Sequence, residues 1–207
     1  MPSSDRSHRD NNHAGHQRPR LGVLLSGSGR TLKNLLERIA DGRLRASVAG
    51  VASDRDDAFG LQRAIENGLE TRVLPEPSAM WSWLLELDVD LVILAGYLRL
   101  LPIVPEFEGR VLNIHPSLLP KHGGKGMYGE RVHRAVLEAG ERESGCTVHL
   151  CDDEYDRGRV LIQARVPVLP DDTATSLAAR VFAAECEAYP AAIHLRWAEL
   201  GAHDAQA

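Results

Sequence analysis

The sequence predicts an α/β fold: a doubly wound, mostly parallel sheet with helices on both faces, followed by C-terminal antiparallel strands and a long terminal helix. Three observations predict it. From Arg20 onward, short apolar runs alternate with stretches of helical period. The early strands are apolar throughout rather than at every second residue, as strands covered on both faces must be. In the last third, two strand-like runs are separated only by a short polar turn, which is hairpin distance.

The elements follow in order. Residues 21–25 form an apolar strand that runs into Ser26-Gly27-Ser28-Gly29. Residues 31–41 carry Leu32, Leu35, Leu36 and Ile39 at helical spacing. Residues 46–52 are a second strand, closed by Ser53-Asp54, and 58–67 a helix stopped by Gly68. A third strand at 71–74 precedes a helix at 79–87 that contains Trp81 and Trp83. Strands at 90–95 and 111–114 complete the parallel part, whose order of winding is Rossmann-like. A helix at 129–139, strands at 147–151 and 160–168, and a helical stretch at 175–199 interrupted by Pro190 complete the chain. No repeat or linker divides it. Residues 20–207 are expected to be one domain, preceded by a polar tail at 1–19.

That tail is Ser, Asp, Arg, His, Asn, Gly and Pro with almost nothing apolar, so it is expected to be disordered. It has no apolar core of a secretory signal. His8, His13 and His16 lie in it. The whole chain has 207 residues and a net charge of −5. The first twenty residues hold four arginines against two aspartates, so the body is more acidic than the whole. An acidic body argues against nucleic acid as a partner, and no apolar run is long enough to span a bilayer. Cys146, Cys151 and Cys186 are odd in number and lack Cys-x-x-Cys spacing, which suggests a reduced, cytoplasmic protein without a zinc site.

Two places carry chemistry. The turn Ser26-Gly27-Ser28-Gly29-Arg30-Thr31 joins a strand to a helix. Small residues there let an anion approach backbone N–H groups at the positive end of the helix. A dinucleotide fingerprint would need glycine at Leu32, so the turn suits a monophosphate. The alternatives are a plain tight turn, or a non-catalytic nucleotide-binding module in which Asp54 reads a ribose. The strand end Asn113-Ile114-His115-Pro116 puts an amide and an imidazole on one face, two residues apart, where parallel sheets bind ligands. Asp152-Asp153-Glu154-Tyr155-Asp156 then offers carboxylates, one of which would orient His115 and raise its pKa.

Asn113-Ile114-His115-Pro116-Ser117-Leu118-Leu119-Pro120 resembles the signature of the folate-dependent formyltransferases. The Ser-Gly-x-Gly turn, Ala95-Gly96-Tyr97-Leu98-Arg99-Leu100-Leu101, the loop 124–129 and Asp156-x-Gly158 occur in the same order. The resemblance covers about 20–200. It implies transfer of a formyl group from 10-formyltetrahydrofolate to an amine, with no metal. The phosphate turn and the short chain imply glycinamide ribonucleotide (GAR) as acceptor, in purine biosynthesis; a sugar-amine acceptor or a hydrolase is the alternative. His115 would be the acid/base, Asn113 the oxyanion donor, and Asp156 the group that raises the pKa of His115. Gly29, Arg30 and Thr31 would hold the phosphate through backbone N–H groups, and Glu185 the ribose. Leu98, Arg99, Leu100, Leu101, Asn113, Asp152, Asp153, Glu154, Tyr155 and Asp156 would line the folate pocket. The half at 20–110 would bind the phosphate, and the half at 111–200 would hold folate and catalyse. Partners would be small molecules, with no membrane, and the state a monomer or homodimer. Arg30-Thr31 stands where many relatives have Ser-Asn, and Phe182 where some have a polar residue.

Overall fold

A computed structural model of the chain describes residues 17–204. The polar tail as expected therefore lies outside the described residues up to position 16, His8, His13 and His16 included. Pro19, assigned to the tail from sequence, is buried, and its carbonyl accepts the Ser47 N–H at 3.0 Å.

Seven strands form one sheet: β1 (Arg20–Leu25), β2 (Ser47–Ser53), β3 (Thr71–Val73), β4 (Leu91–Leu94), β5 (Val111–His115), β6 (Glu143–Leu150) and β7 (Val160–Pro167). Their order is β3-β2-β1-β4-β5-β6-β7. The first five are parallel, and β5–β6 and β6–β7 are antiparallel. The chain winds outward from β1 to β3 and then returns to β4 on its other side. The carboxyl ends of β1 and β4 therefore border the point where the winding reverses, the place where such sheets leave room for a ligand.

The helices are α1 (Arg30–Ala40), α2 (Phe59–Glu66), α3 (Pro77–Glu86), α4 (Glu130–Glu138) and α5 (Ala174–Asp204). Strand residues alternate between two cores. Val23, Leu25, Ile93 and Leu112 pack with Leu35 of α1, Leu61 of α2, Val136 of α4 and Val181 of α5. Leu24, Val92, Leu94 and Val111 pack on the other face with Trp81 and Leu84 of α3. There Trp81 stacks on Phe107 at 5.0 Å, from a short 3-10 turn (Pro105–Phe107) that the sequence pattern does not announce.

Two elements differ most from the sequence reading. β6 starts at Glu143 rather than 147, because Glu143, Ser144 and Gly145 pair with Pro167, Val166 and Arg165. Such polar and small residues give no apolar signal. The second difference is that α5 runs through Pro190 without interruption. Proline has no N–H for the carbonyl four residues back, that of Cys186. The buried Asn34 of α1 supplies the missing donor, its Nδ2 lying 3.2 Å from that oxygen. One turn along α1, Arg38 pairs with Glu187. Tyr189, fully buried, places its hydroxyl 2.8 Å from the Leu112 carbonyl and 3.0 Å from that of Leu94. These contacts fix α5 against the sheet.

Asn34→Ala should lower unfolding free energy by about 1–3 kcal/mol, the cost of a buried carbonyl left unpaired. In a Pro190→Ala background, which restores the helical donor, the same substitution should cost measurably less. Urea unfolding of the four variants checks this, and equal costs in both backgrounds would exclude the compensation.

Candidate functional site

The carboxyl ends of β1, β4 and β5 open into a cavity of about 330 Å3, closed by residues of the loop 124–129 and by α5. One end of it is the turn before α1. Gly29 has φ 70°, and a Cβ there would come within 2.6 Å of the Gly60 Cα. Only glycine fits. Arg63 Nε donates to the Ser28 carbonyl at 2.9 Å, and the Gly60 N–H donates to that of Gly27 at 2.9 Å, so α2 braces the turn. α1 begins with no side-chain cap, which leaves its first N–H groups free of side-chain partners. Ser26 Oγ donates to Asp54 at 2.6 Å and accepts the Leu98 N–H at 3.1 Å. Asp54 thus holds the turn to the β4 loop and does not line the cavity.

The other end is built on β5. Asn113 and His115 project from one face, as their spacing requires, and Asp156 meets both. Its Oδ2 lies 3.5 Å from His115 Nδ1 and accepts the Gly124 N–H at 2.8 Å, and its Oδ1 accepts from Asn113 Nδ2 at 3.4 Å. Asp156 has φ 57°, a conformation uncommon for a residue with a Cβ. Two residues on, Gly158 passes so close to the Leu150 carbonyl that a Cβ would overlap it. The turn is pressed onto the end of β6, and this aims the carboxylate inward.

His115 is 4% exposed, and its Nε2 donates to the His122 carbonyl at 2.8 Å, since a carbonyl can only accept. Each ring nitrogen faces an acceptor, which favours the doubly protonated ring. Burial acts against it and is the larger effect: the pKa of His115 is lowered, first by desolvation, although Asp156 pushes it up. The sequence reading of Asp156 as a group that raises this pKa is correct for its own field and incomplete for the sum. Desolvation also disfavours the charged form of Asp156, but the neighbouring His149 and His115 rings and the bond from the Gly124 N–H outweigh it and hold its pKa below the usual range. Glu185, on α5, has its carboxyl pushed up to about 7 by burial, against the pull of Arg30.

The cavity brings together Gly29, Arg30, Thr31, Leu98, Arg99, Leu100, Leu101, Asn113, His115, Asp152, Glu154, Tyr155, Asp156 and Glu185. Asp153 is the exception among the expected residues: it does not line the cavity, and its carboxylate accepts the Ile103 N–H at 3.4 Å. His149 and His133 line it and were missed from sequence. His149 pairs across the sheet with Asn113, and its Nε2 is 3.1 Å from Asn113 Nδ2. Its Nδ1 donates to the Leu150 carbonyl at 2.9 Å, so Nε2 accepts. Both donors of Asn113 are thereby engaged, the contact to Asp156 being the weaker. Position in β6 was the only available signal for His149, and it required the register of an antiparallel pair. Among the described residues, no group of three or more His, Cys, Asp or Glu is placed to hold a metal, and no helix is long and apolar enough to cross a membrane.

A family model described as formyl transferase matches residues 19–193. The chain belongs to the formyl transferase family. Among curated relatives, the chloroplastic phosphoribosylglycinamide formyltransferase of Arabidopsis thaliana is 39% identical over 203 residues, covering 89% of this chain and 70% of that protein. The phosphoribosylglycinamide formyltransferase of Escherichia coli (strain K12) is 39% identical over 183 residues, covering 83% and 84%. The crystal structure of glycinamide ribonucleotide transformylase 1 from Symbiobacterium toebii superposes with a TM-score of 0.80 at 41% identity, over 88% of this chain and 89% of that one. The mostly parallel sheet with its antiparallel edge and long last helix is thus the architecture of this formyl transferase family.

The buried pair has a consequence for stability. With the pKa of His115 lowered in the folded state, the unfolded chain takes up that proton first as pH falls below 6.5, and stability is lost until the folded value is passed. Glu185 acts oppositely, since its raised pKa lets the folded state bind a proton first between about 7 and 4.5. His115→Gln removes only the former effect. Urea unfolding at pH 7.5 and 5.5 should show the variant keeping a larger share of its pH 7.5 stability than the native chain; an equal share would contradict the lowered pKa.

Proposed function

We propose that the chain transfers the formyl group of 10-formyltetrahydrofolate to the amine of GAR, giving formylglycinamide ribonucleotide and tetrahydrofolate in purine biosynthesis. The observation that carries this reading is the Asp156–His115–Asn113 cluster at one end of a cavity whose other end is the uncapped start of α1. That arrangement spans a substrate with a phosphate at one end and a nucleophilic amine at the other. The names of the relatives support the same substrate.

In this reading the GAR phosphate lies on the backbone N–H groups of Gly29, Arg30 and Thr31, and Glu185 accepts from the ribose hydroxyls. The folate ring lies against Leu98, Arg99, Leu100 and Leu101, with Asp152, Glu154 and Tyr155 opposite. Leu98 and Leu100 are 42% and 39% exposed, large apolar side chains that a flat ring would cover. The residues meeting each substrate come from both halves of the single domain.

The neutral amine nitrogen attacks the formyl carbon, and negative charge develops on the formyl oxygen. Asn113 Nδ2 gives up its long contact to Asp156 and donates to that oxygen, an interaction typically contributing about 100-fold or more. Once off the His122 carbonyl, the neutral His115 ring carries its one hydrogen on Nδ1 toward Asp156, so that the free Nε2 receives the proton lost by the amine and returns it to N10 as the carbon–N10 bond breaks. A ring balanced between a carboxylate that favours its charge and burial that opposes it suits a group that both takes and gives a proton. Asp156 stabilises the charged ring while it exists. The reactants are small molecules, and the three free cysteines support a reducing, cytoplasmic setting.

His115→Ala and Asp156→Asn should each lower kcat by about 100-fold or more with the fold retained, read by absorbance as folate deformylation that depends on GAR. Near-native turnover in either variant, or deformylation without GAR, would overturn the assignment. Gly29→Ala, which must push the turn off α2, should raise KM for GAR more than KM for the folate. An effect confined to the folate would contradict the phosphate-turn reading.

A further inference from the structure

Arg30 is the first residue of α1, and its side chain is exposed. A cation is poorly placed there, because the N-terminus of a helix is already positive. No acidic residue lies in the first turn to offset it. Nor does the Arg30 guanidinium make a hydrogen bond or ion pair among the described residues. It lies instead over the ring of Phe182, 4.4 Å from the centroid. The Phe182 ring, one turn before Glu185 on α5, gives the guanidinium a flat seat without using any of its donors. Arg30 and Phe182 both line the cavity. A second polar group waits beside them: His133 is 4% exposed, and its Nδ1 is buried without a partner. Arg30 is within electrostatic reach of both His133 and Glu185, since its charge depresses the pKa of each. A helix end with no acidic residue in its first turn, a seated guanidinium with its donors free and an unsatisfied buried imidazole nitrogen nearby together suit an anion.

We propose that the Arg30 side chain, seated on Phe182, clamps the phosphate of the substrate from the side opposite the backbone N–H groups of α1, making this residue a determinant of selectivity for a phosphorylated acceptor. The inference rests on the GAR reading and adds to it a side-chain contact. Backbone donors alone would bind phosphate by position. The guanidinium adds charge and a two-pronged geometry that a neutral, dephosphorylated acceptor does not satisfy.

The test uses the full chain and the variants Arg30→Ala, Arg30→Lys and Phe182→Leu, with GAR and its dephosphorylated nucleoside as acceptors. Arg30→Ala should raise KM for GAR about 10-fold or more, from loss of a charge-assisted bond. Its change in KM for the folate should be smaller, and the loss of kcat/KM should be smaller with the nucleoside than with GAR. Arg30→Lys and Phe182→Leu should fall between, since one keeps charge without the fork and the other keeps the fork without its seat. Inorganic phosphate, titrated calorimetrically and as a competitor of GAR, should bind the native chain and bind Arg30→Ala more weakly. An unchanged KM for GAR, or equal losses with GAR and the nucleoside, would overturn the clamp. If the native chain does not formylate GAR at all, the functional reading fails instead. The phosphate titration still decides the role of Arg30, equal affinity in both proteins counting against it.

Discussion

The Asp156 carboxylate is the point through which three parts of the chain reach one another. It accepts from Gly124 of the loop after β5, meets Asn113 and His115 of β5 itself, and is carried by the turn between β6 and β7. A carboxylate so placed must remain ionised in a poorly solvated place, and donors on several sides keep it so. In turn it faces His115 Nδ1 at 3.5 Å, while the His122 carbonyl takes the other nitrogen. The orientation of the imidazole, the course of the loop over it and the position of the asparagine all depend on that one residue's backbone turn. The turn in its turn depends on Gly158, where any side chain would strike β6.

The antiparallel edge of the sheet matters for the same reason. β6 runs against β5 and ends beside its first residue, the Cys151 N–H donating to the Val111 carbonyl at 2.8 Å, and this register places His149 directly beside Asn113. His149 donates to the Leu150 carbonyl, so its other nitrogen is an acceptor, and this holds the amide of Asn113 with its donors on the catalytic side. On the opposite flank, α5 must stay rigid through a proline to present Phe182 and Glu185 to the cavity. Asn34 repairs the helix at that point, and Tyr189 ties it to the β4 and β5 carbonyls.

Strand and helix alternation was legible because buried parallel strands leave long apolar runs, and the seven strands and five helices lie close to where the pattern places them. Asn113, His115 and Asp156 were legible as a group because a strand end followed by proline and a short acidic turn both have local sequence signatures. What was not legible depended on contacts between distant residues. Asp153 looks no different from Asp152 in sequence, yet only the fold of the turn decides which enters the cavity. Pro190 reads as a break, since nothing in α5 shows that a donor arrives from a helix about 150 residues earlier. His149 and His133 lie within apolar patterns that also describe ordinary core histidines, and the outcome of burial against the field of Asp156 at His115 needs the packed structure.

Electrostatically, the cavity is polar from end to end although the chain as a whole carries a net charge of −5. At the α1 end stand a helix N-terminus, uncapped and without acidic neighbours in its first turn, and the guanidinium of Arg30. At the β5 end stand the ionised Asp156 and His115, both lining the cavity. A molecule with an anion at one end and an amine at the other lowers its energy in only one of its two orientations, and that orientation brings the amine to the imidazole. Reversed, it would set phosphate against the carboxylate and an amine against the guanidinium. With walls that exclude much of the water, this difference is larger than it would be in solution. The local dipole and one seated cation form the positive end of the cavity, so in the proposed reading the groups that would hold the phosphate would also set the direction in which the reacting nitrogen points.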